Sequence, residues 1–152
     1  MLILSKESGF TLIELLSCIA IVAILVSIAI PMMKVHSEKA KLTELTNSMN
    51  ATAAALGAYY LDNDFKFPQI DLTDITSLAT TLGVSIPSAA LSRIASVNVT
   101  GNTGTITFVI QGIDSTINNS SLILSPTTTN EGAIIWSWGA SAGFPAKLIP
   151  MR

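Results

Sequence analysis

One carboxylate stands inside a run of hydrocarbon. Glu14 belongs to GFTLIELL, residues 9–16, and after it no charge appears until Lys34. An ionised side chain in a bilayer is costly; it is tolerated near the interface or where it is paired. Two readings stand. Glu14 lies one helical turn inside a membrane surface and reaches water, or it meets a positive charge supplied by another chain.

Other chemistry-bearing residues lead less far. GASAG, Gly139 to Gly143, has the spacing of a G-x-S-x-G nucleophile elbow, but an elbow needs a following helix and a downstream acid and histidine. Only nine residues follow Gly143, and none is acidic or histidine. The single histidine, His36, has no second metal ligand at useful spacing, and is expected on a helix surface. DLTD and DND are too short in oxygen ligands for a calcium loop. No cofactor or metal is expected, and no enzymatic activity. Asn50, Asn98, Asn118 and Asn119 fit N-x-[ST], a triplet that recurs by chance in so Ser/Thr/Asn-rich a chain. Cys18, the only cysteine, lies in the apolar run and reads as a small hydrophobe; no intrachain disulfide is open to the chain.

These residues need elements to hold them. The 152 residues suffice for one domain, with 49% apolar and only 12% charged residues and a net charge of −2. That charge gives no footprint for nucleic acid. Phe10 to Ile30 as a helix spans roughly 31 Å, which matches a bilayer core of about 30 Å. The run is too long for a cleaved secretory signal. Residues 10 to about 61 read as one long helix. Its second half carries an apolar stripe of Val35, Leu42, Leu45, Met49, Leu56 and Tyr59, with Lys34, Glu38, Lys41, Glu44 and Ser48 on other faces. Pro31 is expected to kink this helix without ending it. DNDFKFP stops it. Tyr59, Tyr60, Phe65 and Phe67 are expected to seal its end against the rest. A Thr/Ser-rich connection follows, with one short helix over LTDITSLATTLG. From Ala95 the chain reads as strands: ASVNVT, TGTITFVIQG, SSLILSP and GAIIWSWG, with TGNTGT as a turn. The fold class is α+β, a long helix packed on an antiparallel sheet of about four strands.

GFTLIELL followed by IAIVAILVSIAIP resembles the N-terminal signature of type IV pilins and their pseudopilin relatives, over Gly9 to Pro31. The resemblance implies that a prepilin peptidase cuts between Gly9 and Phe10 and methylates the new amino terminus of Phe10. It implies that Glu14 pairs with the Phe10 amine of a neighbouring subunit during assembly. A carboxylate in low dielectric does seek such a partner, since a helix start adds partial positive charge to the amine. In a single chain stored in lipid, Glu14 is then expected to have no partner. The parts become a leader (1–9), a transmembrane and filament-core helix (10–31), the amphipathic half of that helix (32–62), a connecting region (63–94), and a sheet with tail (95–152). The implied role is a structural subunit of a type IV pilus, held in the bacterial inner membrane and later in an extracellular filament. The implied partners are further copies of itself, the peptidase, the inner-membrane assembly machinery and membrane lipid. A minor pilin or type II secretion pseudopilin is the alternative.

The chain departs from the family in places. GTITFVI, SLILSPT, IIWSW and GFPAKLIPMR are similar to the end of major pilins, yet the two cysteines that usually close that tail are missing. Trp136, Trp138, Phe144, Leu148 and Met151 are the apolar residues expected to hold it instead. The leader MLILSKESG begins apolar and has one lysine, where relatives are usually short and basic. Lys34, Lys39 and Lys41 after the span would by lysine count place that side in the cytoplasm, against the orientation the resemblance implies. Calcium-binding pseudopilins use C-terminal acids, and after Asp74 only Asp114 and Glu131 occur.

Overall fold

A computed structural model describes residues 9–129 and 132–150. The chain divides between Ser37 and Glu38 into two compact units.

The first unit holds the opening of α1, the helix Leu12–Asp62. Every residue from Gly9 to Lys34 is exposed. An apolar helix with no cover within its own chain is suited to lipid or to other helices. Its polar side chains are satisfied locally, as hydrocarbon demands. Ser17 Oγ donates to the Ile13 carbonyl at 2.7 Å, and Ser27 Oγ to the Ile24 carbonyl at 2.7 Å. Pro31 lies inside α1 and the helix continues through it. Having no N–H, it leaves the Ser27 carbonyl without its usual donor.

The second unit is built on the rest of α1. Leu42, Leu45, Met49, Ala53, Leu56 and Tyr60 are buried, at steps of three and four that put them on one helix face. They meet the inner face of a four-stranded antiparallel sheet in the order β1-β2-β3-β4. The strands are β1 Ile94–Val99, β2 Ile106–Ile110, β3 Ser121–Thr128 and β4 Ile134–Ala140. Alternation decides what faces the helix: Ile106, Phe108 and Ile110 of β2 and Leu122 and Leu124 of β3 are buried. Pro126 fits inside β3 because β2 pairs no farther than Leu124, so Pro126 has a strand neighbour only at Trp136.

The short helix expected over LTDITSLATTLG is α2, Ile75–Leu82. Ser77 N–H donates to Asp74 Oδ1 at 2.7 Å, and Asp74 N–H to Ser77 Oγ at 3.3 Å, a reciprocal cap. Gly83 ends the helix at φ +68°. The TGNTGT turn also forms, with Thr100 N–H bonded to the Thr105 carbonyl at 2.9 Å. Gly104 in that turn has φ +68°, and an added Cβ would lie 2.5 Å from the Phe67 ring.

Several expectations change. Residues 63–94 hold a second helix, α3 Ser88–Leu91, and Leu72 pairs with Val99 at the edge of β1. Ser48 is buried, not on an outer face; its hydroxyl donates to the Glu44 carbonyl at 3.1 Å, which satisfies it inside the core. Tyr60 is the buried tyrosine, with Tyr59 half-exposed. The seal at the end of α1 is therefore Tyr60 against Phe67, ring centroids 4.7 Å apart. Phe65 meets Tyr60 edge-on at 5.7 Å and stays 58% exposed.

Candidate processing and assembly site

Gly9, Phe10 and Thr11 precede α1 and lie outside regular structure. The Gly9–Phe10 bond is therefore non-helical, and both residues are exposed, Phe10 to 75%. Nothing lies within 4 Å of where a Gly9 Cβ would stand. A peptidase needs an open, unpaired backbone of this kind, because helical peptide bonds are hydrogen-bonded and hidden by their own side chains.

Thr11 stands one residue before the helix and Glu14 at its third position. Thr11 N–H donates to Glu14 Oε2 at 2.9 Å, and Thr11 Oγ1 to the same oxygen at 2.6 Å. In return, Glu14 N–H donates to Thr11 Oγ1 at 3.3 Å. This is a capping box: two donors that an α-helix leaves orphaned at its start are satisfied reciprocally. The expectation that Glu14 has no partner in a single chain is thereby corrected. The signal was in the sequence, since TLIE is itself T-x-x-E ahead of an apolar run. Both Thr11 bonds fall on Oε2. Oε1 has no partner among the described residues, so the carboxylate can take a further donor without dismantling the cap.

The tail residues lie elsewhere, in the second unit. Phe144 and Leu148 are buried in the core, whereas Trp136 and Trp138 are half-buried and pack against it. Met151 lies outside the described residues. Ser141 does not resemble a nucleophile. Its Oγ accepts the Ser121 N–H at 2.9 Å and no α-helix follows it, so the hydroxyl fastens the end of β4 to the start of β3. Among the described residues, no three His, Cys, Asp or Glu side chains gather to hold a metal.

A long exposed apolar helix, capped by its own acid just inside an open Gly9–Phe10 bond and continued into an α+β head, defines a class of chain: one helix shared by an uncovered apolar half and a folded domain. Comparison with known proteins gives the family. The prokaryotic N-terminal methylation motif matches residues 4–30, and the family Pilin (bacterial filament) matches residues 38–152. The chain belongs to the pilin family, within the type IV pilin superfamily. It is 30% identical to fimbrial protein EcpC of Eikenella corrodens over 95% of this chain and 88% of that protein. It is 30% identical to type IV major pilin protein PilE1 of Neisseria gonorrhoeae over 88% of this chain and 76% of that protein. It is also 40% identical to type II secretion system core protein G of Pseudomonas aeruginosa, over 41% of this chain and 44% of that protein.

Proposed function

We propose that this chain is the structural subunit of a type IV pilus and has no catalytic role. A prepilin peptidase cuts between Gly9 and Phe10 and methylates Phe10. The precursor waits in the inner membrane as a single-pass protein, and the assembly machinery packs the exposed apolar helix of each copy against others. Extracellular fibre is the product. The observation that carries this reading is the capped Glu14 immediately inside an open Gly9–Phe10 bond, at the head of a helix that nothing in its own unit covers. In the fibre, Glu14 keeps Thr11 on Oε2 and receives the Phe10 amine of an adjoining subunit on Oε1. A helix start that already carries partial positive charge makes the site receptive to that carboxylate.

The breadth of the similarity favours a main fibre subunit. The matches to a fimbrial protein and a major pilin extend over most of this chain, whereas the match to the secretion protein covers under half of either partner. A minor pilin or pseudopilin is the second reading.

Two measurements test the proposal. Intact-mass analysis of surface filaments should give a subunit that begins at Phe10 and carries one added methyl group. A fibre subunit still bearing residues 1–9 would remove the basis of the reading. Glu14→Gln then separates cap from charge. Its side-chain carbonyl can still accept the Thr11 donors, so membrane insertion and the helix start should persist, while fibre in the sheared fraction falls to a small fraction of wild type. Normal fibre from both Glu14→Gln and Glu14→Ala would leave Glu14 as a cap that reaches water and no more.

A further inference from the structure

The second unit carries opposite charges at the two ends of its share of α1. Lys39 lies at the start of that share and Asp62 closes it, roughly 35 Å apart along the axis at about 1.5 Å per residue. At the Lys39 end, Lys147 of the short 3₁₀ turn Ala146–Leu148 joins it. Lys39, Lys147, Leu42 and Pro150 line one cavity of about 200 Å³. That is small for a small-molecule site but wide enough for a single side chain. Both lysines are exposed, and neither has an ion-pair partner among the described residues. The one acid beside them on the helix, Glu38, is half-buried and has an interaction of its own.

At the other end, Asp62 and Asp64 are exposed and precede Phe65 in the same turn. Asp64 and Phe65 both take left-handed backbone, φ +53° and +58°, which costs an L-residue free energy. The turn is fixed by the Phe65 N–H on the Tyr60 carbonyl at 2.9 Å and by the Tyr60 ring. The result is an exposed apolar ring just after two acids in the chain, with Lys66 the one base beside it. A ring with two acids beside it fits a small cavity with two lysines beside it. Contact between two copies of the same end would instead set like charges against each other.

We propose that Phe65, with Asp62 and Asp64, seats on the Lys39–Lys147 cavity of a second copy of this chain. The contact is heterologous, head to tail, and so propagates without closing, as a fibre requires. It rests on the filament reading and adds a second contact, separate from the Glu14 helix packing.

Full-length chains in cells that assemble fibre test it. Reversing one end (Lys39→Glu with Lys147→Glu, or Asp62→Lys with Asp64→Lys) should lower sheared fibre at least tenfold at unchanged membrane level. Reversing both ends together should restore at least half. Phe65→Cys with Lys147→Cys, in a Cys18→Ser background, should give a ladder of oxidised oligomers, while each single cysteine variant should not. Normal fibre from both single-end reversals, no rescue by the combination, or dimers from Phe65→Cys alone would overturn the contact while leaving the filament reading standing. If the wild-type chain itself formed no fibre, both would fail.

Discussion

The two parts of α1 obey different rules. From Leu15 to Met33 the helix is apolar but for Ser17 and Ser27 and is uncovered all round; from Leu42 onward it hides one stripe and wets the rest. The first part has no inside of its own, so its packing must come from lipid or from other chains. The second has a complete core from a single chain. A subunit built this way can keep a folded head while its stalk changes surroundings.

Six substitutions test how separate the two parts are. The largest effect is expected at Phe108, fully buried at the centre of β2. Phe108→Ala should cost about 3–5 kcal/mol in thermal unfolding of the head, followed by near-ultraviolet circular dichroism in detergent. Leu25→Ala in the stalk should leave that transition unmoved; a comparable shift would mean the parts are not independent.

Gly104→Ala comes next. It combines a left-handed backbone position, about 1–2 kcal/mol, with overpacking against Phe67, about 1–3 kcal/mol. The same melting experiment reads it, and an unchanged midpoint would show that the turn relaxes freely. Trp138→Ala should cost less than a fully enclosed tryptophan, about 1–3 kcal/mol, because the ring is only half-buried and its lost transfer energy scales with buried area.

Thr11→Ala should be smallest and confined to the stalk. Loss of the cap should speed hydrogen exchange in the first turn of α1 roughly two- to thirtyfold, with the head's melting unchanged. Thr11→Ser should restore protection. If Thr11→Ala exchanged like wild type, Glu14 would be capping the helix without its partner.

Periodicity made the long helix, the four strands, α2 and the TGNTGT turn legible, because each has a local signature. The misreadings came where two local choices were equally good. Tyr59 and Tyr60 lie three and four residues beyond Leu56, so either continues the stripe; packing against Phe67 selects Tyr60. Ser48 reads as polar surface until its hydroxyl is seen to bond within its own helix. The Leu72–Val99 pair joins residues far apart in sequence, and no local pattern announces it. At the candidate site, Glu14 stands out by charge alone. Thr11 does not, because within the signature nothing but its T-x-x-E spacing marks it as the residue that caps the acid's own turn.

The tail has a consequence for how the head is completed. Phe144 and Leu148 close it by burial in the core, and the single cysteine lies far off in sequence, exposed on the stalk helix. Closure is therefore indifferent to thiol chemistry. The head can finish folding without an oxidant or an isomerase, and a reductant has nothing in it to cut. The same closure remains reversible on every encounter with a chaperone or a neighbouring subunit, which a covalent clasp would not allow.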